Sequence, residues 1–300
     1  MRTLCFGEAI VDLICQHPVT AFRDAAAFAP FLGGVTANVA VAAARAGADV
    51  ALAGGAGDDR WGAWLADRLA AEGLDLGWYA LAEGPATAVA FVTVDVRGDA
   101  AYELYGDGVA ATVQGLDGRL LDAVEACGAL LFTSNTLAQP DAAELTMAAR
   151  RRALELGRPI VFDASLRLAR WQANPGRAGA AAGACVPGAF LVKCNELEAR
   201  LMTGESDPEA AAASLLAAGA EHAVVTLGAR GAILRAPGMR FDVAGRRARV
   251  RSTVGAGDVF LGVLLARLAM TDFYPAALAA ALPEAAAEAA RACERWGALE

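Results

Sequence analysis

ALLFTS (129–134), DAAELTMAARRRALELG (141–157) and PIVFDAS (159–165) follow one another and decide the fold. The outer two segments are short apolar runs with the look of buried strands, and the middle one is helical and ends at Gly157. Strand, helix, strand in that order is a crossover unit, whose two strands lie parallel in one sheet. The rhythm continues downstream. AFLVKCN (189–195) is a strand, and NELEARLMTG (195–204) and PEAAAASLLAAG (208–219) are helices. HAVVTLG (222–228) and GAILRA (231–236) are strands, and PEAAAEAARACERWGA (283–298) is a closing helix.

Upstream the pattern is similar. RTLCFG (2–7) predicts a buried strand. TANVAVAAARAGADVALAGGAG (36–57) predicts a helix capped by Thr36 and stopped by Gly47, then a strand. DRWGAWLADRLAAEG (59–73) is a further amphipathic helix. TAVAFVTVDVRGDAAYELYG (87–106) departs from this rhythm: it alternates, with Val96-Arg97-Gly98-Asp99 between two strands, as in an antiparallel hairpin. The expected architecture is one α/β domain over residues 1–300, with a central, mostly parallel sheet covered by helices on both faces. A small β-sheet lid is expected from about 12–34 and 86–108.

Composition narrows the function. With 56% hydrophobic and 20% charged residues the chain has ample core and is far from a disordered profile. A net charge of −8 argues against nucleic acid or an anionic membrane as partner, because both need a basic face. Cys5, Cys15, Cys127, Cys185, Cys194 and Cys293 form no Cys-x-x-Cys pair, which points to reduced thiols and a cytoplasmic setting. Glu8 and Asp12 break the apolar N-terminal run, unlike a signal peptide, and no run reaches the ~18 apolar residues of a membrane span.

Parallel sheets bind ligands beyond the carboxyl ends of their strands, and Asp12, Asp163, Asn195 and Asp258 collect there. The most telling of these stands in STVGAGDVFLGVLLARL (252–268). Gly255-Ala256-Gly257 permits a sharp turn and a close backbone approach at the start of an apolar helix. Free N–H groups and the positive end of the helix dipole make such a place an anion site, and phosphate is its usual tenant. A carboxylate at its edge, Asp258, is repelled by phosphate unless it takes a proton from an attacking hydroxyl. The structural alternative is a tight strand–helix junction with Asp258 as its cap. Other glycine motifs fail. Lys193, the sole lysine, has no glycine loop before it, and Arg60 occupies the third glycine's place after Gly55-Ala56-Gly57.

These stretches carry a resemblance. STVGAGDVF (252–260) resembles the C-terminal signature of the ribokinase-like (PfkB) sugar kinases, and GGVTANVAVAAARAG (33–47) their N-terminal signature. GEAIVD (7–12), FDASLR (162–167), KCNELE (193–198) and VTLGARGA (225–232) are similar to further family motifs and fall in family order. The first and second of these lean toward the fructokinase branch. The resemblance implies an ATP-dependent sugar kinase in which Asp258 is the catalytic base and Gly255, Ala256 and Gly257 form the anion hole. It implies sugar binding by Asp12, Gly33, Gly34 and Asn38, with Tyr105 and Arg167 reaching substrate. It implies a nucleotide side made of Lys193, Asn195, Glu198, Thr226, Gly228 and Gly231, with magnesium held through water near Asn195 and Glu198 rather than directly. Asn195 and Glu198 also read as a helix capping box.

Departures from the family pattern matter too. Ser252 replaces the usual Asp in the region that helps hold an activating monovalent cation, which puts potassium activation in question. Tyr105-Gly106 replaces the frequent Tyr-Arg of the lid, so a cationic substrate contact is lost. Ribose, a nucleoside or 2-keto-3-deoxygluconate stand as alternative acceptors, and a non-catalytic sugar or nucleotide sensor as an alternative of another class. The resemblance also implies a homodimer formed through the lid.

Overall fold

The computed structural model describes residues 1–300. Its first half holds β1 (Thr3–Phe6), β2 (Ile10–Cys15), β3 (Phe28–Gly33), α1 (Val35–Arg45), β4 (Val50–Gly57), α2 (Arg60–Ala71), β5 (Tyr79–Ala82), β6 (Val89–Val94) and β7 (Ala100–Tyr105). Then come α3 (Gly108–Leu116), α4 (Leu120–Ala126), β8 (Ala129–Thr133), α5 (Pro140–Glu155), β9 (Ile160–Asp163), α6 (Pro175–Gly183) and β10 (Leu191–Asn195). The last part holds α7 (Glu196–Thr203), α8 (Pro208–Ala217), β11 (His222–Thr226), β12 (Gly231–Ala236), β13 (Met239–Ala244), α9 (Ala256–Met270) and α10 (Ala276–Cys293).

Nine strands form one sheet in the order β13-β12-β11-β10-β9-β8-β1-β4-β5. From β11 to β5 every neighbouring pair is parallel; only β12 and β13 join antiparallel. β8-α5-β9 is the crossover unit expected from 129–165, with Leu130 opposite Ile160 and Thr133 opposite Asp163. The sheet is apolar on both faces, as a parallel sheet must be. One face packs under α1, α2, α9 and α10 through Val39, Leu52, Leu65, Leu131, Leu264 and Leu282; the other packs Phe6, Phe132, Phe162 and Trp171 under α3 to α8. A second sheet has the order β3-β2-β6-β7, and Ile14, Val92, Val254, Trp296 and Ala298 form its inner core. No helix is long and apolar enough to cross a membrane.

Two local expectations need correction, and one structural alternative falls away. Helix α1 starts two residues before the position Thr36 would cap: its N-cap is Gly34, at φ 94°, and Thr36 is buried inside the first turn. The sharp exit from β3 needs that left-handed backbone, which glycine adopts without cost. The closing helix also starts earlier, at Ala276, and carries Pro283 within it. Leu278, Ala281, Leu282 and Ala285 pack this helix on α9, enough to outweigh the ~3 kcal/mol cost of an interior proline. Asp258 is not a cap either: it lies in the first turn of α9, whose N-cap is Gly255.

Helix α9 is buried nearly all round. Leu261, Leu264, Leu265 and Leu268 have no exposure at all, and burying them stabilises the fold by roughly 6–12 kcal/mol as an upper bound. Gly262 lets α1 approach closely, since a Cβ there would stand 2.9 Å from the Val39 carbonyl oxygen. The helix that carries Asp258 is therefore rigidly seated.

Candidate active site

The carboxyl ends of β1, β8, β9 and β10 lie side by side in the parallel sheet. The segments that leave β1, β8 and β9, with the starts of α1 and α9 and the inner face of the small sheet, enclose a cavity of about 320 Å³. Glu8, Asp12, Asn38, Asn135 and Asp258 are its polar lining; Ile10, Val35, Ala90, Leu104 and Val254 are among its apolar walls. Gly34 and Gly255 line it with backbone, and Arg167 and Arg170 stand at its edge.

Asp258 sits at the end of this cavity and is 6% exposed. Its Oδ2 accepts a hydrogen bond from Asn38 Nδ2 at 2.9 Å, a contact across 220 residues. No N–H of its own helix bonds its side chain, so the carboxylate is held for something other than capping. The turn beside it is left-handed at Gly255, φ 71°, where a Cβ would collide with Ala298. The amides of Gly255 and Gly257 make no hydrogen bond, and that of Ala256 reaches Thr253 O only at 3.4 Å. Two unpaired N–H groups at the start of a 15-residue helix thus lie next to a carboxylate.

Burial pushes the Asp258 carboxyl up to about 6, against the downward pull of Arg167, the Asn38 hydrogen bond and Lys193. Burial likewise pushes Asp12 up to about 7; Arg167 lowers it, while Asp258 and Glu8 raise it. Two perturbed carboxyls in one cleft mark a functional site. Asp12 projects from β2, and a Cβ on Gly33, diagonal to it across the β2–β3 ladder, would strike its carboxyl. Gly34 is equally constrained, since a Cβ there would stand 2.6 Å from Glu8 O.

Behind the Gly255–Gly257 turn lies a buried ion pair. Lys193 Nζ meets Asp163 Oδ1 at 3.1 Å and Oδ2 at 3.3 Å, and Ser165 Oγ donates to the same carboxylate at 2.8 Å. Lys193 Nζ also stands 3.2 Å from where a Cβ of Gly257 would sit, so the ammonium lies close against that turn. Ser165 adopts φ 32°, the left-handed region, in doing so. Asn195 and Glu198 form a full capping box: Glu198 N donates to Asn195 Oδ1 (2.9 Å) and Asn195 N to Glu198 Oε2 (2.8 Å). Leu166 N adds a bond to Glu198 Oε1 at 2.9 Å. Burial raises the Glu198 carboxyl, opposed by Lys193 and these amides.

Of the residues singled out for sugar, Asp12, Gly34, Asn38 and Arg167 line the cavity, and Gly33 backs Asp12. Tyr105 does not. Side chains alternate along β7, so Tyr102 and Leu104 face the cavity while Tyr105 turns outward, 54% exposed, with its ring against Phe91. The Arg167 guanidinium lies over the Tyr102 ring, 5.0 Å from its centroid. Thr226, Gly228 and Gly231 sit together at the β11–β12 turn, outside the cavity. Sequence reasoning passed over Glu8, Asn135 and Tyr102. Glu8 had a signal, an acid beside Gly7 in an apolar run; Asn135 and Tyr102 had none.

A doubly covered parallel sheet with a second small sheet closing over a polyhydroxyl-sized cavity, and a glycine turn aimed into it, is the architecture of a small-molecule kinase. The chain belongs to the pfkB family of carbohydrate kinases, whose family model matches residues 2–299. It is a phosphotransferase acting on a sugar. It is 31% identical over 283 residues to a fructokinase of Rhizobium leguminosarum bv. trifolii, covering 94% of this chain and 84% of that one. Among solved structures it is similar to the fructokinase of Vibrio cholerae O395 bound to fructose, ADP and calcium ion (TM-score 0.84, 27% identity, 99% and 94% covered). It is also similar to the aminoimidazole riboside kinase of Salmonella enterica complexed with aminoimidazole riboside and an ATP analogue (TM-score 0.81, 27% identity, 100% and 95% covered).

Proposed function

We propose that this kinase transfers the γ-phosphoryl group of ATP to a hydroxyl of fructose, with Asp258 as general base. The observation that carries the reading is the Asp258 carboxylate, held by Asn38 at 2.9 Å beside the unpaired Gly255 and Gly257 amides. With its pKa about 6, Asp258 is mostly ionised at neutral pH yet basic enough to take a hydroxyl proton. The hydroxyl oxygen attacks the γ-phosphorus, the bond to the β-phosphate oxygen breaks, and ADP leaves. Charge on the transferring group is met by the Gly255 and Gly257 amides and the α9 dipole, with the Lys193 ammonium behind them. The small sheet acts as a lid that excludes water, with Tyr102 and Leu104 as its contact face.

Glu198, braced by Asn195, fits a hydrated magnesium ion: each Glu198 oxygen keeps a lone pair after accepting one backbone N–H and can accept from a magnesium-bound water. Magnesium supplies neutralisation of the ATP phosphates when bound. Fructose is favoured over the other acceptors by the similarity to named fructokinases.

The test is coupled ADP release with Mg·ATP and fructose, ribose, glucose, adenosine, inosine or 2-keto-3-deoxygluconate, with and without potassium. The expected result is highest kcat/KM with fructose. A different sugar well above fructose overturns the acceptor, and no turnover with ligand-induced heat stabilisation overturns the catalytic reading in favour of a sensor.

A further inference from the structure

Four of the cavity's five partnerless polar atoms are acceptors; the fifth, Arg170 Nε at its edge, is a donor. Glu8 Oε2, Asp12 Oδ1, Asn38 Oδ1 and Asn135 Oδ1 are buried and hydrogen-bond to nothing in the protein. Their residues are only 3–4% exposed, and all four line the one cavity. A buried acceptor left unsatisfied costs about 1–3 kcal/mol, so four in one small space specify a ligand that donates several hydrogen bonds.

Glu8 and Asn135 form one corner of this set. Glu8 leaves the end of β1, and Asn135 the turn after the neighbouring strand β8. Glu8 Oε1 is occupied twice, by Val35 N at 3.2 Å and Asn135 Nδ2 at 2.8 Å. Those two donors fix the carboxylate and leave Oε2 free. The same bond fixes the Asn135 amide and leaves its Oδ1 free. Two acceptors are therefore pre-oriented by groups already on the protein, at no ordering cost when the ligand arrives.

We infer that Glu8 and Asn135 are specificity-determining residues: a second hydroxyl-reading corner, which selects a fully hydroxylated neutral monosaccharide over deoxy sugars and sugar acids. The inference rests on the sugar-kinase reading of the same cavity and deepens it. A sugar hydroxyl donates to Glu8 Oε2 and its neighbour to Asn135 Oδ1, in the way Asp12 and Asn38 take the others. A deoxygenated carbon leaves one of these acceptors unpaired. A substrate carboxylate would add its charge to the crowded carboxyls of Glu8, Asp12 and Asp258, with Arg167 and Arg170 at the edge to offset it.

The experiment compares wild type with Glu8→Gln and Asn135→Ala in the ADP-release assay. Acceptors are the preferred sugar, its singly deoxygenated analogues and the matching sugar acid; calorimetric binding of each is measured without ATP. Glu8→Gln keeps an oxygen for Val35 and Asn135 but turns a donor on the sugar. The expected result is a 10- to 100-fold rise in sugar KM and Kd, an unchanged KM for ATP and an unshifted melting temperature. On wild type, at least one deoxy analogue and the acid lose 10-fold or more in kcat/KM. Unchanged sugar KM in a folded Glu8→Gln protein overturns the inference while the kinase reading stands. So does a wild-type enzyme that accepts every deoxy analogue or the acid as well as the parent sugar, which needs no variant to fold. Absence of turnover with every acceptor counts against the kinase reading instead; calorimetry still decides the corner, since sugar binding that Glu8→Gln does not weaken overturns it.

Discussion

Asp258→Asn separates catalysis from stability, because one carboxylate is asked to serve the first at the expense of the second. The side chains are near-isosteric, and the asparagine oxygen can still accept from Asn38 Nδ2. Loss of a general base lowers kcat by about 10²–10⁴. The same change stabilises the fold. Unfolded, the carboxyl ionises near 3.8; folded, near 6. A folded-state pKa raised in this way favours the protonated form, so stability present at low pH is lost as pH rises from about 4 to 6 and stays lost above. The difference amounts to roughly 3 kcal/mol at pH 7–8, discounting nothing for exposure because the group is buried. Asparagine never ionises and escapes that loss. The variant should therefore melt about 4–6 °C above wild type at pH 8, with the gain fading toward pH 4.5. Scanning calorimetry at several pH values, beside single-turnover kinetics, reads both effects. A stability gain independent of pH, a net destabilisation, or kcat within tenfold of wild type would refute the reasoning.

Two further expectations follow from the same surroundings. Lys193→Met leaves the fully buried Asp163 carboxylate without its cation and should destabilise by about 3–5 kcal/mol in urea unfolding, with part of the loss recovered when Asp163 is also made Asn. Gly255→Ala forces a left-handed residue to carry a Cβ into Ala298; it should lower both melting temperature and kcat, while Gly228→Ala at an open left-handed site costs only about 1 kcal/mol and spares the sugar KM.

Much of this was readable because charge and glycine stand out in an apolar chain. The crossover 129–165 announces its parallel pair through period and stop signals, and Asp12, Asn38 and Asp258 interrupt apolar segments where a polar group needs a partner. What failed was register. Tyr102 and Tyr105 sit on one strand, three residues apart, and only its pairing with β6 decides which of them faces inward. Thr36 failed for a related reason: a cap depends on how the chain arrives, and β3 arrives through Gly34 in a conformation that leaves nothing for Thr36 to cap. Asn135 was silent because an amide in a loop is ordinary until the strand beside it delivers Glu8 to within 2.8 Å.

The bond from Asn38 to Asp258 joins residues 220 positions apart. During synthesis at about 5–20 residues per second, Asn38 emerges roughly 10–45 seconds before its partner exists. In that interval β1 can pair with β4 and then β8, while the surface that α9 later covers stays open to water. The reactive constellation is among the last things the ribosome completes. A half-made chain can acquire a sheet without acquiring chemistry, and a chaperone holding the nascent protein would see the unclad face of α1 rather than a working enzyme.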